Sequence, residues 1–220
     1  MPDERLARPL DQGRKNLLYP VGEVVISFVV PRLPTWIGTR TLTLTTLLWC
    51  VMVLGIGWSA RDEQWQLSLL GIPILGQYLT DVLDGEVGRV RRSGWVRWGY
   101  YMDHVLDYCF LATICSAYFF YLQPSDQYLA FIAFIAASGI MVHCFLLTPI
   151  FDALPLQVWR IGPSEARLGV IVANLVAPLW GSTVVVNTMR ISTGASLLFF
   201  AVLVVLTQVR LRDMDRTSEH

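Results

Sequence analysis

Two pairs of aspartates stand out in an otherwise apolar chain. Asp81 and Asp84 open the stretch DVLDGEVGR just after the run LSLLGIPILGQYL, and Asp103 and Asp107 follow in MDHVLDY. On helices, spacings of i, i+3 and i, i+4 put both carboxylates of a pair on one face. A short connection between the two helices makes them antiparallel neighbours, so the four side chains can converge. Carboxylates gathered away from water repel one another and are costly to desolvate, and a divalent cation relieves both effects. Hard oxygen ligands select magnesium, manganese or calcium, and two ions can share such a cluster. The residues between the pairs suit a phosphate. Gly85 removes a side chain where a ligand must approach closely. Gly88 does the same beside Arg89, whose guanidinium fork matches two phosphate oxygens. Gly99, one helical turn before Asp103, thins the facing helix. Together these describe a pyrophosphate site. A lone D-x-x-D-G also occurs in turns and calcium loops, so the weight falls on all four aspartates, since ionisable residues at membrane depth are functional by default.

The elements that must hold them belong to a membrane. Of 220 residues, 54% are hydrophobic and 15% charged, which favours an all-α integral membrane protein over a soluble domain. The net charge of zero gives no bulk argument for nucleic acid. Stretches of about 20 apolar residues predict six transmembrane helices, at 41–60, 65–84, 98–122, 126–150, 165–185 and 191–210. Residues 17–33, apolar but broken by prolines and carrying Glu23, read as an interfacial amphipathic helix. The chain then divides into an N-terminal tail (1–16), one membrane domain (17–211) and a C-terminal tail (212–220). Arginines crowd the segments on one side of the predicted spans, leaving only Arg61 and Arg190 opposite, so both termini and the DVLDGEVGR loop are expected in the cytoplasm. Arg91, Arg92 and Arg97 read as topology determinants or lipid headgroup contacts. The four cysteines lie in apolar runs with no zinc spacing and are expected as free, buried thiols. The polar N-terminus MPDERLARPLDQGRK has no signal-peptide core.

Asp81-x-x-Asp84-Gly85-x-x-Gly88-Arg89, nine residues, then Gly99-x-x-x-Asp103-x-x-x-Asp107 resembles the signature of the CDP-alcohol phosphotransferases. One position departs, Gly88, where the family usually has alanine; that change should loosen packing slightly. The resemblance implies an integral membrane enzyme that moves a phospho-alcohol group from a CDP-alcohol to an acceptor hydroxyl and releases CMP. It implies Asp81, Asp84, Asp103 and Asp107 as ligands of two Mg2+ or Mn2+ ions, with Asp107 also the candidate base. It implies Gly85, Gly88, Gly99 and Arg89 around the CDP moiety, and a homodimer.

Local features are similar to the choline/ethanolamine branch: His104 directly after the third aspartate, LPTWIGTRTLTLTTLL (33–48), and IGPSEARL (161–168). Thr39-Arg40 stand where that branch has Pro-Asn, Val105-Leu106 replace Gly-Cys, and the eukaryotic members carry further C-terminal spans. Glu165 either complements a helix dipole in a first turn or faces the site and helps deprotonate the acceptor. His104 either orients Asp103, serves as an alternative base, or packs. The first reading is CDP-choline or CDP-ethanolamine as donor and diacylglycerol as acceptor. The second has CDP-diacylglycerol as donor and glycerol phosphate, inositol, inositol phosphate or serine as acceptor; a phosphorylated acceptor would want arginines, which Arg40, Arg91, Arg92 and Arg160 could supply. The third, a cation transporter, leaves Gly85, Arg89 and Gly99 unexplained. Sixteen arginines against one lysine hint at a GC-rich genome and a bacterial inner membrane, otherwise endoplasmic reticulum or Golgi.

Overall fold

A computed structural model of the chain describes residues 28–151 and 163–218. Every regular element among them is helical, and six helices dominate: α1 Thr39–Ser59, α2 Gly71–Val90, α3 Val96–Tyr121, α4 Tyr128–Phe151, α5 Pro163–Val176 and α6 Ser182–Ser218. Three of them contain segments long and apolar enough to cross a membrane: Thr39–Ser59, Tyr128–Thr148 and Ser182–Arg216. That is consistent with a membrane protein.

α1 is the spine of the half that carries the aspartates. Its buried residues Leu42, Thr43, Thr46, Cys50, Val53 and Gly57 recur every three to four positions and form one stripe. That stripe packs along both α2 and α3, whereas α2 and α3 touch each other little. Closeness depends on small side chains: a Cβ on Gly57 would collide with the Ala117 backbone of α3. Below the aspartates, Val53, Leu67, Leu70, Ile74, Phe110 and Ala117 close a shared core. α4 packs on α3, α6 on α4, and α5 on α2.

Several boundaries differ from the sequence reading; the last predicted span, 191–210, lies inside the longer α6, Ser182–Ser218. The second predicted span begins as a 3-10 segment, Gln64–Leu70, and its α-helix runs on to Val90. The end of DVLDGEVGR, beyond the expected span, is therefore helical rather than part of the connecting loop. The helix then closes with paired bonds, Ser93 N–H to Gly88 O (3.1 Å) and Arg92 N–H to Arg89 O (3.3 Å). Such a closure needs a left-handed residue, usually glycine, and Arg92 takes that place at φ 48°. The fifth predicted span is not one helix: α5 stops at Val176, a 3-10 turn covers Ala177–Trp180, and Gly181 turns the chain at φ 102°. Pro178 lacks the N–H that would continue α5, and only glycine adopts such a φ readily. Of the expected interfacial helix 17–33, residues 17–27 lie outside the described residues; the remainder holds a 3-10 turn, Val30–Arg32. All four cysteines are free; Cys50 and Cys144 are buried, and Cys109 and Cys115 are partly buried.

Candidate metal centre

α2 presents Asp81 and Asp84 near its C-terminal end, and α3 presents Asp103 and Asp107 in its first turns. Asp81, Asp103 and Asp107 are half-buried, and each offers a carboxylate oxygen within 4.8 Å of the others. Two oxygens on opposite sides of one cation, each about 2.0–2.6 Å from it, stand roughly that far apart. The donor set is all hard oxygen, which fits magnesium, manganese or calcium and disfavours softer metals. The residues present thus fit a divalent ion.

Asp84 stands outside that group of three because α1 holds it. Thr43, 4% exposed, donates its hydroxyl to Asp84 Oδ2 at 2.7 Å. Thr39 donates to the Asp84 backbone carbonyl at 3.4 Å. Gln77, one helical turn before Asp81, donates Nε2–H to Asp107 Oδ1 at 3.0 Å. None of these three partners was identified from the sequence. Both threonines lie in the run TRTLTLTT, which the sequence reading singled out only for its likeness to the choline/ethanolamine branch. Gln77 was the better signal, a buried amide in an apolar span.

The remaining predicted residues are distributed as follows. A Cβ at Gly85 would meet only the Arg89 guanidinium, at 3.8 Å, and one at Gly99 would meet nothing within 4 Å, so both positions leave open space. Gly88 is different: its Cβ would lie 3.1 Å from Thr39 Oγ. Rather than loosening the packing, Gly88 makes room for Thr39, the residue that stands where the choline/ethanolamine branch has proline. Arg89 is half exposed and ion-paired with Glu86 one turn back. His104 is stacked between Tyr100 and Phe145, with ring centroids 4.2 and 4.3 Å away. Its Nδ1 is 3.6 Å from Asp103 Oδ2, too long for a hydrogen bond, and has no other partner. The packing reading of His104 is the one this geometry favours. Glu165 is in the first turn of α5, but its side chain, like the whole of Arg160, lies outside the described residues.

Arg91 has partners that the sequence did not reveal. Its guanidinium caps backbone carbonyls of the segment before α1, at 2.6 Å from Ile37 O and 2.8 Å from Leu33 O. Longer bonds of 3.3 and 3.4 Å reach Pro34 O and Thr35 O. Both terminal nitrogens of Arg91 are thereby engaged by this segment. Arg40 lies over the rings of Trp95 and Trp98, 5.0 and 5.6 Å from their centroids, within cation–π range.

No curated protein and no solved structure matches this sequence. The CDP-alcohol phosphatidyltransferase family model does, over residues 39–211. That stretch includes all four aspartates, Gln77 and both threonines. Members of this family transfer phosphate groups from CDP-alcohols in phospholipid synthesis and use divalent metal ions. With more than three quarters of its length inside the match, the chain belongs to the CDP-alcohol phosphatidyltransferase family.

Proposed function

We propose that the chain is a metal-dependent membrane enzyme that transfers phosphocholine or phosphoethanolamine from its CDP ester to diacylglycerol and releases CMP. The observation that carries the chemistry is the convergence of Asp81, Asp103 and Asp107 within 4.8 Å across two helices. In this reading Asp81, Asp84, Asp103 and Asp107 hold two ions, Mg2+ or Mn2+, with Thr43 orienting Asp84. When bound, the ions neutralise the pyrophosphate and the departing phosphate of CMP. The chain's own residues do the rest. Gly85, Gly88 and Gly99 leave room for the CDP backbone, and Arg89 exchanges Glu86 for a phosphate oxygen pair. Asp107 takes the proton of the acceptor hydroxyl as its oxygen bonds to the phosphorus that bears the alcohol. The bond from that phosphorus to the bridging oxygen breaks, and CMP leaves with the electron pair. Glu165 is the second candidate for positioning or deprotonating the acceptor; His104 has a weaker claim, given its stacked ring.

The choice of donor rests on His104, Glu165 and the stretch entering α1. The engagement of Arg91 by carbonyls favours it, since it leaves fewer N–H groups of that arginine for the cluster a phosphorylated acceptor would want. The competing reading keeps the aspartates and has CDP-diacylglycerol as donor with a polar alcohol as acceptor. Six spans, both termini in the cytoplasm and a homodimer complete the proposal, supported by the arginine distribution and the family.

The test is CMP release by the purified protein in magnesium with two substrate sets side by side. One offers CDP-choline or CDP-ethanolamine with diacylglycerol; the other offers CDP-diacylglycerol with glycerol phosphate, inositol, inositol phosphate and serine. Turnover in the first supports the proposal. Turnover only in the second replaces the donor and keeps the site. No CMP from either, with nucleotide-independent Mn2+ flux in vesicles, would return the aspartates to a transport role.

A further inference from the structure

We infer that Gln77 is a positioning residue for Asp107, an inference that rests on the assignment of Asp107 to the reaction. Gln77 and Asp81 lie on successive turns of one face of α2, as do Asp103 and Asp107 on α3. Because the helices run in opposite directions, Asp81 meets Asp103 and Gln77 meets Asp107. The contact is an Nε2–H to Oδ1 hydrogen bond of 3.0 Å. Turning the amide over would set its carbonyl against a carboxylate, two acceptors face to face, so the donor end is fixed by chemistry.

The environment makes this contact notable. Gln77 is 1% exposed, among the largest fully buried side chains, and its Oε1 is buried with no hydrogen-bond partner. A leucine there would fill similar space in an apolar helix and leave nothing unsatisfied. A half-satisfied amide in such a place costs stability unless its other half serves something. What it serves is one oxygen of Asp107. An N–H held on Oδ1 fixes the rotation of the carboxylate plane and engages one lone pair. The carboxylate so held is the one that offers an oxygen to the group formed with Asp81 and Asp103. Groups that orient metal-bound carboxylates in this way typically contribute 10–100-fold in metal affinity or activity.

A double-mutant cycle tests the inference, with Mn2+ alone as probe and its binding read by electron paramagnetic resonance on the purified full chain. Gln77→Met should weaken Mn2+ binding about tenfold in the native background and cause no further loss when Asp107→Asn is already present. In turnover, the single variant should lower kcat by about 10–100-fold while KM for the CDP donor stays within about twofold. Equal losses in both backgrounds, or native affinity and kcat in Gln77→Met, would overturn it. If Gln77→Met does not fold, Gln77→Leu carries the same cycle with the same outcomes. If the native protein releases no CMP from either donor, the proposed function has failed, and the Mn2+ cycle still decides whether Gln77 acts through Asp107.

Discussion

The two halves of the bundle are built on different terms. Around α1, α2 and the start of α3, polar side chains are tied to specific partners: Thr43 to Asp84, Gln77 to Asp107, Arg91 to the carbonyls ahead of α1. Between α3, α4, α5 and α6 lies a cavity of about 350 Å3, lined by small or apolar residues such as Leu111, Ala133, Ala137, Gly169 and Met189. Polar bridges also cross that half, from the Tyr118 hydroxyl to Asn174 Oδ1 at 2.8 Å, between Thr207 Oγ1 and His143 Nε2 at 3.3 Å and from Arg190 to Asp126 at 2.6 Å, but none of them touches the four aspartates of the site. The contrast follows from the range of the forces involved. The energy of gathered charges changes steeply with fractions of an ångström at low dielectric, so their supports must be rigid. Apolar walls lose only dispersion contacts when they are slack.

This comparison can be broken or sharpened at four places. The largest effect should come from Asp107→Asn. The fold and part of the metal binding should survive while CMP release falls by at least about 100-fold; native turnover in that variant would remove Asp107 as the base. Next is Arg91→Met, which strips a charged donor from several carbonyls at once. Thermal melts of the purified protein should show a loss of about 2–3 kcal/mol, and no change would mean that the staple is ornamental. Gly88→Ala should cost about 1 kcal/mol in the native background, because its Cβ meets Thr39. In a Thr39→Ala background the same change should stabilise instead, so paired melts that move in the same direction would disprove the fit between the two positions. The smallest effect belongs to the slack half. Gly169→Ala lies in the interior of α5, with nothing within 4 Å of its Cβ, and should gain about 0.5–1 kcal/mol. A loss there would show that the cavity is less tolerant than it looks.

Much of the site was legible because its chemistry is written in local spacing. Aspartates at i, i+3 and i, i+4 needed only the helical period to be placed on faces, and the signature supplied the rest. What the sequence did not show depends on contacts between distant segments. Nothing local to Thr43 says that it will face Asp84, 41 positions away. Arg91 was read by its charge, together with its neighbours Arg92 and Arg97, and its bonds to the carbonyls ahead of α1 stayed hidden because backbone carbonyls leave no trace in sequence. The end of DVLDGEVGR was expected in the connection after a span ending at 84, yet the helix runs on to Val90. Each interior glycine costs a helix about 1 kcal/mol, an amount that packing of Val87 and Leu83 against Val30, Leu42 and Ile37 can outweigh. The break between α5 and α6 was announced by Pro178 and Gly181, yet apolar residues on both sides made one long span the simpler reading.

The Arg91 staple also bears on the order in which the molecule assembles. Its bonds to Ile37 and Leu33 join positions 54 and 58 residues apart in the chain. They need α1 and α2 folded back on one another, and we expect them to form late in the closing of that hairpin. Interactions absent from the rate-limiting barrier add little to the speed of folding and act almost wholly against its reversal. The staple is then a latch on the carboxylate end: it sets how long the site stays shut once made, not how quickly it is made.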